Sequence, residues 1–264
     1  MALNSIINFE IRKALSDKNE YSLKKVFKEY SEEDIHKIPV MERRNHIIIN
    51  ARHSYKLFKI LMENNLLPSD EGETLLMIEN LINDRCRKHA VYLFKNRPDL
   101  AVLQYDNWIS NALFGAAVNF DFTKEKNKEL LSLILKQIPL NTVDKNKDNV
   151  VTYAFKKLEQ KMKDSIHYSY NDQPIKEIRM IINNIHFLLV VAGVDVNYKK
   201  EGKSTLEIFN NIDTSALSGR KLQNDLRLYL EEVREKIASE IEKKYILENI
   251  NNTKINYGAN KKRL

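Results

Sequence analysis

Four side-chain groupings in the sequence have types and spacings that could carry chemistry, and each can be weighed by what that chemistry requires. Glu201-Gly-Lys-Ser-Thr205 ends like a phosphate-binding loop. Such a loop wraps phosphate oxygens with backbone N–H groups and needs a second glycine ahead of a four-residue spacer; the residue there is Asn197. Asp144-x-Asn146-x-Asp148 has the spacing of the first three ligands of a calcium loop. The sixth position of that loop should be glycine and the twelfth a bidentate glutamate, but these are Asn149 and Phe155, so the main charge of the site is lost. Cys86-Arg-Lys-His89 sets a thiol and an imidazole at i and i+3 of a helix, with no third group evident to orient the base. His36, His46, His53, His89, His167 and His186 show no His-x-x-x-His spacing, and Cys86 has no Cys-x-x-Cys partner, so zinc-type ligation is not indicated. The expectation is therefore no catalytic residue, no cofactor, no metal and no enzymatic activity.

Composition bounds the elements that position these residues. Hydrophobic residues are 43% of the chain, enough to bury a core, and only 6 Gly and 5 Pro interrupt it. So few breakers predict an all-α protein rather than sheets joined by many turns. A lone Cys86 excludes an intramolecular disulfide framework and fits a reducing, cytoplasmic setting. The N-terminus lacks a basic segment followed by a long apolar core, so no secretory signal is expected. No apolar run approaches the roughly 18 residues that span a bilayer. The net charge of +7 is spread along lysine-rich helix faces; it admits an acidic partner or nucleic acid, but reads first as a solvated surface.

Along the chain, residues 4 to about 30 read as a helical pair. The second helix carries an apolar residue, two others, then an apolar pair: Leu23, Val26, Phe27. The same spacing returns at Leu57, Ile60, Leu61; at Ala90, Leu93, Phe94; at Leu131, Ile134, Leu135; and at Ile185, Leu188, Leu189. Counted on the first member, the steps are 34, 33, 41 and 54 residues. Between the triplets lies a second pattern: Asp70-Glu-Gly-Glu-Thr-Leu-Leu76, then Asp106-Asn-Trp-Ile-Ser-Asn-Ala-Leu-Phe-Gly-Ala116, then Asp144 to Ala154, then Asp195 to Phe209. Two patterns alternating at a near-constant offset are much harder to obtain by chance than either alone.

The junction Phe187-Leu-Leu-Val-Val-Ala-Gly-Val-Asp-Val-Asn197, followed by a polar tip at Gly202 and Ser204-Thr-Leu-Glu207, resembles the junction between two ankyrin repeats. Two of the four steps match the ankyrin period of about 33 residues, and two look like that period with insertions. The resemblance covers about residues 33–212, best at the last junction and poorest at Asn45-His-Ile-Ile-Ile49. Leu75, Ala112, Val150 and Thr205 stand where proline is usual; Met77, Phe114, Thr152 and Glu207 replace the histidine that ties adjacent tips; Ile109 and Lys147 replace a tip glycine. The resemblance implies an ankyrin-like α-solenoid of about four divergent repeats, each unable to bury its apolar face alone. It places positive φ at Gly72 and Gly202 in the tips, and a left-handed cap at Gly193.

The expected organisation is an N-terminal helical cap at 1–32, repeats at 33–212 with an insertion at about 156–176, a C-terminal capping helix at 213–249, and a disordered basic tail at 250–264. The stripe Leu222, Leu226, Leu230, Val233, Ile237, Ile241 marks the capping helix, with a dimerising coiled coil as the alternative to a monomer. The resemblance implies a protein-recognition scaffold; divergent arrays of this family also occur in effectors that bacteria deliver into a host cytosol. Expected protein-binding residues are Asp70, Glu71 and Glu73 at the first tip; Asp106, Asn107 and Trp108 at the second; Lys145, Lys147 and Asp148 at the third; Lys199, Lys200 and Glu201 at the fourth; and Tyr168 and Tyr170 on the insertion. The competing readings are a nucleic-acid-binding helical repeat, which needs its basic side chains on one stripe, and an enzyme without a recognisable motif.

Overall fold

The computed structural model describes residues 3–39, 51–66, 71–103, 111–165, 173–217 and 221–260, and they are mostly helical. The chain divides into two compact units, Met1–Phe120 with Lys124–Pro139, and Asp121–Thr123 with Leu140–Leu264. The division runs through the span 33–212 that the sequence pattern treats as one array.

In the first unit, α1 (Leu3–Ser16) and α2 (Glu20–Glu29) form the N-terminal pair, with Asn19 capping α2 by accepting from the Ser22 N–H. After α3 (Glu32–His36), the unit continues through α4 (Tyr55–Glu63), α5 (Glu71–Asn83), α6 (Arg87–Asn96), α7 (Ala112–Asn119) and α8 (Glu125–Leu135). The helices that carry the triplets touch in succession: α2 packs on α4, α4 on α6, and α6 on α8. Leu23, Leu57, Leu61, Leu93, Phe94 and Ile134 are sealed from solvent in that row, each side chain contributing roughly 1.5–3 kcal/mol of apolar burial. The partner helices make their own contact, α5 against α7.

Three helix exits in this unit are left-handed without glycine. Lys18, Asn65 and Arg85 have φ of 50°, 55° and 57°. In each case the following N–H reaches back five residues: Asn19 to the Ala14 carbonyl, Leu66 to Leu61 and Cys86 to Leu81. This is the Schellman closure, so the low glycine count does not deprive the helices of it.

The second unit holds α9 (Val150–Ser165), α10 (Gln173–His186), a π-helical turn Phe187–Ala192, a two-residue hairpin β1 (Lys199–Lys200) and β2 (Lys203–Ser204), α11 (Thr205–Asn210) and α12 (Lys221–Asn260). Gly193 ends the π turn at φ 80°, the left-handed cap expected there. The Val194 N–H bonds the Leu188 carbonyl at 3.0 Å, one residue further back than in the other exits, which accommodates the extra residue of the π turn. Both helices flanking the insertion are long, while its centre, with Tyr168 and Tyr170, lies outside the described residues. Asn184, fully buried on α10, accepts the Phe122 N–H at 2.8 Å.

Leu226, Leu230, Val233 and Ile237 are buried, and α12 packs on α10 and on the π turn. The stripe is thus used within its own unit. Arg234 fastens the same helix to α11, donating from Nη2 to the Phe209 and Ile212 carbonyls at 3.0 and 3.1 Å while lying over the Phe209 ring. Where a disordered tail is expected from residue 250, the helix instead continues to Asn260, because propagation from an already packed helix costs far less than nucleation. Leu230→Ala should lower the unfolding free energy by about 2–5 kcal/mol, whereas Leu247→Ala, at a position 60% exposed, should change it by less than about 0.5 kcal/mol. Urea denaturation followed by circular dichroism checks both.

Candidate functional site

The best-defined surface feature is a pair of adjoining tips in the second unit. The first is a tight turn organised by Asp144. Its Oδ1 accepts the Asn146 and Asp148 N–H groups, both at 2.8 Å, and Val143 bridges Asn149 across the turn. Lys147 has φ 56°, so the left-handed slot where the ankyrin pattern has glycine is kept, with a lysine in it. Asn149 then caps α9, its Oδ1 accepting the Val151 and Thr152 N–H groups at 3.0 and 2.8 Å.

The second tip is the hairpin Lys199–Ser204, in which Lys199 pairs with Ser204 and Lys200 with Lys203. Glu201 and Gly202, at φ 53° and 82°, form the two-residue link, and positive φ at both positions matches the strand twist. Ser204 starts α11 with a complete capping box: its Oγ accepts the Glu207 N–H, and the Glu207 carboxylate accepts the Ser204 N–H. The bonds from the Ser204 backbone and side chain lower the Glu207 pKa. The cap therefore contributes above the ordinary carboxylate range and is lost as pH falls through the lowered value.

Three contacts stitch the tips together. Asp148 is 1% exposed and pairs with Lys156 Nζ at 2.5 Å and with Lys200 Nζ. The Tyr198 hydroxyl donates to the Lys147 carbonyl at 2.8 Å. Asn149 Nδ2 donates to the Thr205 hydroxyl at 3.4 Å, and that hydroxyl donates toward the Tyr198 and Asp195 carbonyls. Partial burial works against the charge on Lys156, but the hydrogen bond it donates to Asp148 and the negative charge there outweigh it, and the ammonium is held above the ordinary lysine range.

The expected binding residues fall into three groups. Lys145, Lys147, Lys199 and Glu201 are exposed on the two tips. Asp148 and Lys200 are corrected: the carboxylate is buried and the ammonium is turned inward onto it, because a buried carboxylate needs a charged partner. Glu71 and Glu73 are also corrected. They, with Gly72, lie in the first turn of α5, where acidic side chains favour the positive end of the helix dipole, and so this is not a tip. Asp70, Asp106, Asn107, Trp108, Tyr168 and Tyr170 lie outside the described residues. Tyr198, Lys156 and Asn149 were not singled out from sequence. Asn149 was legible, since an asparagine directly before an apolar helical run is an N-cap signal, and Asn111 repeats it before α7.

The chemical motifs dissolve into these roles. Gly202-Lys203-Ser204 is half of a hairpin, and Asp144 and Asp148 are engaged by backbone N–H groups and lysines. Cys86 sits between α5 and α6, its Sγ 3.7 Å from the Arg52 carbonyl; burial first, then the Asp84 charge, raises its pKa. His89 is buried edge-on against Tyr55 and Phe58, with ring centroids at 5.6 and 5.0 Å. Among the described residues no group of three or more His, Cys, Asp or Glu could hold a metal ion, and no helix is long and apolar enough to cross a membrane.

No protein-family model matches the chain, nor does any curated protein or solved structure. Two outcomes follow from the geometry. Asp148→Ala leaves the Lys200 ammonium, 11% exposed, without its counter-charge, and should lower the unfolding free energy by about 3 kcal/mol, measured by urea denaturation. Because its thiol is held up in the folded state, Cys86 should react with iodoacetamide at neutral pH several-fold more slowly in the native protein than in urea, as read by mass spectrometry.

Proposed function

We propose that the chain is a non-catalytic protein-recognition scaffold of divergent ankyrin-like repeats, contacting its partner through the tips of the second unit. The observation that carries this reading is the stitched pair of tips. Asp148, Tyr198, Asn149 and Thr205 hold two turns in fixed register, while Lys145, Lys147, Lys199, Glu201 and Lys203 stand exposed on them. A surface held this way loses little conformational entropy on docking. The row α2, α4, α6, α8, built on recurring triplets, supports the repeat reading for the first unit.

Beside the tips, Thr152, Phe155 and Ile208 line a cleft of about 300 Å³ together with Lys156, Lys200 and Lys203 and the carboxylates of Asp148, Glu159 and Glu201. That mixed lining suits a peptide segment that offers one apolar side chain and polar groups of both signs.

The test is capture and cross-linking from candidate lysates with the wild type and with a Lys147→Glu, Lys199→Glu, Lys203→Glu variant. Cross-links should concentrate on residues 145–147 and 199–203, and the triple variant should lose the recovered protein while melting like the wild type. Recovery that the charge reversal leaves unchanged, or that depends on nucleic acid in the lysate, would sink the proposal.

A further inference from the structure

The long helix α12 passes through two environments. Leu226, Leu230, Val233 and Ile237 of its apolar stripe are buried, and Ile241 is half-buried; Glu242 to Leu247 are all exposed. Within that exposed run Tyr245, Ile246 and Leu247 present 67%, 49% and 60% of their surface to solvent, directly after Lys243 and Lys244. The charge changes sign at the same place. Residues 221–242 carry four basic and six acidic side chains, a net −2, whereas 243–264 carry six basic and one acidic, a net +5. The sequence also sets Ile250 and Tyr257 four and eleven positions after Ile246. Lys243, Lys244 and Leu247 line a groove with Leu189, Val190, Glu240 and Ile241, so the exposed run adjoins the π turn.

We propose that the part of α12 from Lys243 onward docks on an anionic lipid surface. Basic side chains beside exposed aliphatic and aromatic ones are what a charged headgroup layer over acyl chains satisfies together, the lysines at the phosphates and Tyr245, Ile246 and Leu247 just beneath them. Nucleic acid would neutralise the lysines and leave the apolar residues in water. A second copy would cover the apolar residues by bringing +5 against +5. The described helices include none that spans a membrane, so the contact is peripheral, and it is independent of the tips.

The full-length protein should co-sediment with phosphatidylcholine vesicles containing roughly 30% phosphatidylserine, and not with phosphatidylcholine alone. Binding should fall about tenfold or more in Lys243→Gln, Lys244→Gln and in Ile246→Ser, Leu247→Ser, and should fade in about 0.5 M salt. All four positions are exposed, so both variants should melt with the wild type; the lysine variant keeps the test intact if the serines unwind the helix end. Absence of phosphatidylserine-dependent binding overturns the proposal, as does binding that both variants retain. A dimer in sedimentation that Ile246→Ser, Leu247→Ser disperses, without vesicle binding, assigns the surface to a second copy instead.

Discussion

An apolar triplet on a helix of ten or so residues must be covered by a neighbouring helix, because the helix has too little surface of its own to enclose it. In the first unit this constraint orders the structure. Leu23, Leu57, Leu93 and Ile134 are each sealed, and the helices that bear them touch in succession.

Tips obey a different constraint, a backbone one. Left-handed residues are needed at the turns and helix exits, and the chain supplies them with Lys18, Asn65, Arg85, Lys147 and Glu201 besides glycine. A side chain in that conformation costs roughly 1–2 kcal/mol, so each must be held by surrounding bonds. At Lys147 those bonds come from the Asp144 carboxylate and the Tyr198 hydroxyl. The buried Asp148 with its two lysines fixes the next residue along. Rigidity at these two turns thus follows from the Asp144 carboxylate, the Tyr198 hydroxyl and the buried Asp148 with its lysines.

The second unit shows how one helix can serve two ends. The buried stripe of α12 and the Arg234 clasp on α11 anchor it, and the anchored part makes the following turns helical without packing of their own. A helix held at one end and uncovered at the other is suited to carry a contact surface away from the core that stabilises it.

Much of the architecture is local and was therefore readable in the residues. Period 3.6 placed the helices, the recurring triplets marked the buried rows, and Ser204, Gly193 and Gly202 marked a start, an exit and a turn through bonds made within a few residues. What needed the tertiary structure was which polar residues meet. The same Asp-x-Asn-x-Asp spacing is compatible with an exposed tip or a calcium loop. Asp148 is buried where it meets Lys156, 8 positions on, and Lys200, 52 positions later, and nothing local in the sequence encodes the second encounter. Glu71 to Glu73 changed role for a related reason: the helix begins at Glu71, four residues ahead of the slot the pattern assigns. The sequence by itself determined the helices and the apolar rows, because each depends on neighbours in the chain; tertiary structure decided which charges are buried and which face solvent, because burial is settled by elements brought together from far apart.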